Sequence, residues 1–193
     1  MTDEKQRVPP NQRITSTFPV LHVGDVPEFD PEKWDFTVEG LVKRPLRLTY
    51  NDFLKLPKAT IVADFHCVTG WSKLNNKWEG VSFMTILNLA KPFDSVRYAT
   101  IVAEGEYTTS LPLEDLVADD VLFAYRLYGE ALEPQHGGPL RLIVPRKYAY
   151  KSAKWVRKVK LTENQELGYW ERRGYSNTAD PWKEERFSTD KSS

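Results

Sequence analysis

This 193-residue chain contains a single cysteine, Cys67, so it forms no internal disulfide and offers no paired thiolates for a protein-only zinc site. An excess of either charge is also lacking, with 27 Lys+Arg against 27 Asp+Glu. That balance provides no basic footprint for a nucleic-acid backbone, so no nucleic-acid partner is expected. No apolar run approaches the roughly 20 residues of a spanning helix, so no membrane span is expected. Met1 to Pro10 carries Asp3, Glu4, Lys5 and Arg7 without an apolar core, unlike a secretory leader. These absences set the expectation of a soluble, cytoplasmic protein. Gly/Ser linkers, repeats and low-complexity tracts are absent too, and this length predicts about one domain. The domain is expected over residues 14–187, between a polar N-terminal arm (1–13) and a short Ser/Thr/Lys tail (188–193).

What is present reads as short strands. Trp34 to Val38 alternates apolar and polar residues, as a half-buried strand does, and Leu46-Arg47-Leu48 resumes the alternation after a turn between Gly40 and Pro45. Ala59 to Phe65, Val96 to Ala103, Val121 to Tyr128, Leu140 to Val144 and Trp155 to Leu161 read as buried strands rich in Val, Ile and aromatics. Thr49 is an N-cap for a short helix stopped before Pro57. Ser82 caps a second helix carrying Phe83, Ile86, Leu87 and Leu89, and Pro112 opens a third through Leu116. Many strands, few short helices and 13 prolines point to a mainly β fold with small helical insertions.

Two stretches could carry chemistry. The first is Asp64-Phe65-His66-Cys67-Val68-Thr69-Gly70-Trp71-Ser72, where a strand is expected to end and a loop to begin. A lone cysteine is usually inert core. If functional, Cys67 is either a nucleophile needing His22, His66 or His136 as base, or a ligand to a metal whose other ligands arrive with a cofactor. His66 is adjacent in sequence, so in an extended strand its side chain points away from Cys67. The second stretch runs from His136-Gly137-Gly138-Pro139-Leu140-Arg141 to Ser152-Ala153-Lys154-Trp155. Its glycines allow close backbone approach, Arg141 offers a fork suited to phosphate oxygens, and Lys147, Lys151 and Lys154 add local positive charge. That excess predicts one phosphate-sized anion; the bland alternative is a solvated basic face. Phe18, Trp71, Trp78, Tyr107, Tyr148 and Trp155 lie near both stretches and could wall a flat ring system.

Taken in order, these pieces resemble the molybdenum-cofactor domain of the sulfite oxidase family, and more closely its small bacterial members and sulfoxide-reductase branch. The resemblance runs from about Pro9 to Phe187. It is carried by Pro9-Pro10-Asn11-Gln12, Phe18-Pro19-Val20-Leu21-His22, Trp34 to Gly40 and Leu48-Thr49-Tyr50. It continues through Cys67-Val68-Thr69-Gly70-Trp71-Ser72, Trp78-Glu79-Gly80-Val81, Gly129-Glu130-Ala131-Leu132 and His136-Gly137. Pro139-Leu140-Arg141-Leu142, Val144-Pro145 and Ser152-Ala153-Lys154-Trp155 complete it.

The resemblance implies an α+β fold, a β-rich single domain that binds molybdenum through one molybdopterin and a protein thiolate at the position of Cys67. It implies that His136, Arg141, Ser152, Ala153 and Lys154 contact the pterin and its phosphate. Phe18, Val20, Leu21 and His22 would close over it, with one further contact at Ala103 or Glu104. Sulfite oxidases proper place arginines four and five residues after the cysteine; here Trp71 and Ser72 stand there, with only Lys73 beyond. The expected activity is therefore two-electron oxygen-atom transfer on a small S- or N-oxide substrate, with Cys67 as the catalytic ligand and a separate electron donor or acceptor. A sulfite-oxidising enzyme and a non-catalytic cofactor-binding protein are the alternatives.

Overall fold

A computed structural model describes residues 4–188. Two sheets form its frame. The first contains β1 (Arg13–Ile14), β4 (Lys58–Cys67), β5 (Trp71–Ser82), β8 (Leu122–Leu127), β9 (Glu130–Ala131) and β10 (Arg141–Ile143). The second has the order β3 (Leu46–Thr49), β2 (Asp35–Gly40), β11 (Val156–Thr162), β6 (Tyr98–Ala103) and β7 (Thr108–Pro112). Three short helices, α1 (Tyr50–Leu54), α2 (Phe83–Ala90) and α3 (Leu113–Leu116), fill connections. Thr49 and Ser82 cap α1 and α2, their hydroxyls accepting from the amides of Asp52 (3.2 Å) and Thr85 (3.1 Å) as expected.

The principal core lies between the sheets, where Phe36, Val38, Val159 and Leu161 meet Val81, Phe123, Leu142 and Val144. Side chains alternate along a strand, so neighbours of these residues in the first sheet face the other way. Leu122, Ala124 and Ile143 accordingly join a second buried cluster with Phe65, Cys67, Trp71 and Trp78. That outer face carries the candidate site.

β4 ends at Cys67 as expected, in a tight turn: Gly70 N–H donates to the Cys67 carbonyl (3.0 Å), and the chain passes at once into β5, whose Trp71 pairs with Cys67. One expectation needs correction: Lys147 and Lys151 contribute no free positive charge. Lys147 pairs with Asp115 at 2.8 Å, and the fully buried Lys151 pairs with Glu171 at 2.5 Å. Lys151 further donates to the Ser110 carbonyl (2.8 Å), and Glu171 accepts from Thr109 (2.7 Å), riveting the closing segment, residues 169–188, to β7. Lys151→Met strands that carboxylate in the core and should lower unfolding free energy by about 3–5 kcal/mol, read as a fall in the urea midpoint. Adding Glu171→Leu should recover much of the loss, because no buried charge then lacks its partner.

Candidate functional site

Cys67 and Arg141 face the same cavity, of about 300 Å³, on the outer side of the first sheet. Cys67 ends β4, and its partner across the hairpin is Trp71, so both side chains leave the sheet on one face. His66 and Ser72, the next pair, leave on the other face and bond there, His66 Nδ1 to Ser72 Oγ at 2.8 Å. Burial lowers the His66 pKa to about 4, so the imidazole is neutral and turned away from the thiol. His136 is bonded to Glu133 Oε2 (3.1 Å) and the Phe18 carbonyl (3.4 Å), and His22 to the Gly24 carbonyl (2.9 Å). The partner of Cys67 Sγ is Thr69 Oγ1 at 3.2 Å. Burial pushes the thiol pKa up, against smaller opposing pulls from Thr69, Arg186 and Lys154. A protonated thiol without a histidine base is a poor nucleophile, so this geometry does not support a hydrolase.

Arg141 begins β10 and is only 4% exposed. Its guanidinium donates to the carbonyls of His136 (2.7 Å) and Ser152 (3.1 Å) and lies 5.1 Å from the Phe65 ring centre. Its Nε–H has no partner, and no carboxylate pairs with it among the described residues. Burial lowers its pKa to about 10. Lys154 adds a second cation, its pKa lowered to about 7 by burial and then by Arg141, with an opposite pull from Cys67. Its ammonium donates to the Gln135 carbonyl at 2.6 Å. Between the two side chains sits Gly137 with φ +110°; a Cβ there would stand 3.0 Å from both Arg141 Cβ and Lys154 Cγ. Two neighbouring cations whose stems pack closely over Gly137 form a seat for an anion, since binding one relieves their repulsion.

Most expected residues converge on this cavity: Phe18, Leu21, His22, Cys67, His136, Arg141, Ser152, Ala153 and Lys154 all line it. Val20 does not, and stands 43% exposed. Ala103 and Glu104 also lie outside the lining. The amide of Ala103 donates to the Tyr107 carbonyl (3.0 Å), and the Glu104 carboxylate pairs with Arg157. That segment reaches the cavity through Tyr107 instead. Of the aromatic candidates, Trp71, Tyr107 and Trp155 also line it, while Trp78 and Tyr148 are fully buried packing. Sequence reading attached no chemistry to Trp170 and Tyr175, which line the cavity from the closing segment. Gln12, within the expected arm, donates to the Cys67 carbonyl at 3.1 Å and steadies the turn below the thiol.

A model of the family described as "Oxidoreductase molybdopterin binding domain" matches residues 23–170. "Uncharacterized oxidoreductase YuiH" of Bacillus subtilis (strain 168) is 45% identical over 190 residues, covering 98% of this chain and 96% of that protein. "Protein-methionine-sulfoxide reductase catalytic subunit MsrP" of Campylobacter jejuni is 29% identical over 74% of this chain and 54% of its own length, so the chain spans about half of that relative. The crystal structure of the sulfane dehydrogenase SoxCD from Paracoccus pantotrophus superposes with a TM-score of 0.66 at 25% identity, over 72% of this chain and 41% of that one. The β-rich single-domain fold expected from the sequence is the one observed and the one shared with SoxCD.

Arg141→Ala should weaken retention of a phosphate-bearing ligand by about 10- to 150-fold, the equivalent of the 1.5–3 kcal/mol typical of a charged hydrogen bond. Gly137→Ala should act in the same direction by pushing the Arg141 and Lys154 stems apart from a backbone of φ +110°, and ligand content after gel filtration checks both. Separately, His66 binds its proton more weakly folded (about 4) than unfolded (about 6.5), so the unfolded chain takes up more protons between those values. Stability should therefore fall as pH drops from 6.5 towards 4, by up to about 3 kcal/mol, and His66→Gln should flatten that limb in urea titrations at several pH values.

Proposed function

The chain belongs to the molybdopterin-binding oxidoreductase family, and on that premise we propose that it reduces small neutral S- or N-oxides by two-electron oxygen-atom transfer. It is an oxidoreductase, and its cofactor is molybdenum carried by molybdopterin. The residues present fit that group. No cluster of three His, Cys, Asp or Glu side chains able to hold a metal ion occurs among the described residues. The cavity's single thiol thus suits a metal arriving with its other ligands, and the unpaired Arg141 with Lys154 suits the pterin's phosphate. When bound, the cofactor supplies the two-electron change and the oxygen exchange.

The chain's own residues then have separable tasks. Cys67 would give its proton up and supply the protein thiolate, a loss favoured by a neighbouring metal's positive charge. Arg141 and Lys154, whose stems pack over Gly137, would hold the phosphate and so fix where the reacting end lies relative to Cys67. The walls beside the thiol are Val68, Thr69 and Trp71. Lys73, the one cation shortly after the cysteine, is not among them. Its ammonium bonds Asn76 (3.0 Å) and Tyr128 (2.5 Å) and sits 4.9 Å from the Phe18 ring centre. Trp71 and Ser72, four and five residues after the cysteine, thus present no cation to a doubly charged oxyanion, whereas a neutral S=O or N–O dipole needs none. In the balanced reaction a sulfoxide takes up two electrons and two protons, its sulfur–oxygen bond breaks, and the products are the sulfide and water. The electrons would come from a separate carrier docking on this chain.

The observation that carries this reading is the sharing of one cavity by Cys67 and an anion-less buried arginine. Its test is a panel of sulfoxides, N-oxides and sulfite, assayed on molybdenum-loaded protein with a reduced or oxidised viologen as the carrier. Sulfoxide or N-oxide reduction is expected to exceed sulfite oxidation, and the reverse order would support the sulfite-oxidising alternative. Cys67→Ala should retain pterin fluorescence through the phosphate seat. Its turnover should drop by more than the about 10- to 100-fold typical of losing a contact that merely supports a ligand.

A further inference from the structure

We infer that the closing segment, residues 169–188, is the substrate-selecting wall of this cavity. Trp170 and Tyr175 are its specificity-determining residues, favouring neutral sulfoxides that carry an apolar, above all aromatic, substituent. The inference rests on the proposed oxide reduction for its reaction, but not for its binding site.

Three observations carry it. First, the cavity is divided by chemistry. Its cations, Arg141 and Lys154, stand at the anion seat, whereas the wall running on from Val68 is aromatic. There the Trp170 and Tyr175 rings meet tilted at 59° with centres 4.9 Å apart, and Tyr175 meets Tyr150 at 5.5 Å. Val68, the residue after the thiol, packs in the same cluster as these rings. Second, Arg186, the basic side chain beside Val68, is engaged in contacts within the protein. Arg186 spends one guanidinium nitrogen on the Val68 carbonyl and holds the other 3.9 Å from Glu184. Tyr150 Oη is likewise committed, donating to the Ser176 carbonyl at 2.6 Å. Third, the segment is held at both flanks of the site. Glu171 is locked to Lys151 (2.5 Å), the Tyr148 amide donates to the Ala179 carbonyl (2.8 Å), and Asn11 bonds Glu184 (2.7 Å). Half-buried rings held this firmly present a preformed apolar face at little entropic cost. Sulfur and aryl groups gain from such a face through dispersion and sulfur–aromatic contact, and a sulfite or nitrate ion would lose its hydration there uncompensated.

The probe is methyl phenyl sulfone, a neutral analogue that carries the substituent without being reduced, titrated into molybdenum-loaded protein by calorimetry. Trp170→Leu and Tyr175→Leu should each weaken its binding by about 3- to 10-fold, the scale of one ring contact. They should also lower the selectivity for methyl phenyl sulfoxide over dimethyl sulfoxide, expressed as the ratio of kcat/KM values, by a similar factor. Trp170→Phe and Tyr175→Phe, which keep a ring, should restore most of both. In the unmutated protein the sulfone should slow hydrogen exchange in residues 169–176, a readout that needs no variant. Unchanged sulfone affinity and selectivity in Leu variants that retain molybdenum would overturn the inference, as would equal losses in the Phe and Leu variants. If the sulfone binds through these rings but no sulfoxide or N-oxide is reduced, the wall stands and the proposed reaction fails. If dimethyl sulfoxide is reduced but the sulfone does not bind, the reverse holds.

Discussion

Arg141 is a buried cation without an anion, and the arrangement of the site depends on that imbalance. A guanidinium withdrawn from water is tolerable only if its donors are occupied, and here two carbonyls and two aromatic faces do part of that work while Nε–H stays unpartnered. Lys154 adds to the imbalance, its own charge made harder to keep by burial and then by Arg141. A folded chain holding this arrangement has interaction energy in reserve for a phosphate, and whatever binds there stabilises the native state by mass action. Cofactor loading and folding stability are coupled for this reason, not merely because one fills a space left by the other.

Strand parity puts that reserve beside the thiol. Arg141 and Ile143 leave β10 on the outer face because Leu142 between them is in the principal core. On β5 the same face is kept by an irregularity. Ala63 pairs with Asn76 and Phe65 with Lys73, so two steps along β4 match three along β5. The extra residue lies beside Asn75, whose φ is +57° and whose amide donates to Asp64 (2.9 Å). Without that bulge, alternation from Trp71 and Lys73 would bring Lys77 to the outer face and turn Trp78 into the opposite one. With it, Trp71 and Trp78 floor the same cluster as Cys67.

That bulge also explains what the sequence concealed. Trp34 to Val38, Ala59 to Phe65 and the caps at Thr49 and Ser82 are local patterns, and each became the expected element. β5 is the central strand of its sheet, yet Leu74-Asn75-Asn76-Lys77 reads as a turn. Its polar residues are tolerated because Lys73, Asn76 and Tyr128 satisfy one another. Lys151 misleads in the opposite sense. It belongs to a basic run in sequence, but its partner Glu171 comes from a segment twenty residues away that no local pattern ties to it. The core of the site was legible as Cys67, His136, Arg141 and Lys154 because each belongs to a compact motif. Trp170 and Tyr175 were not, since their place depends on how the closing segment is pinned, which is a property of long-range pairing.

A single cysteine admits opposite chemistries, and the fold decides between them by where it sends the histidines. Alternation takes His66 to the far side of the hairpin, where burial keeps it neutral, and the other two rings are held by Glu133, Phe18 and Gly24. The thiol is then buried with one hydroxyl for company, its proton held more tightly than in water. Such a group does little alone. Near a metal the same burial becomes useful, because low dielectric strengthens the attraction between a thiolate and a cation and keeps water from competing. The feature that makes Cys67 a weak nucleophile is thus the feature that suits it as a ligand, and Arg141 supplies the distant anchor such a ligand needs if the metal is to arrive in one orientation.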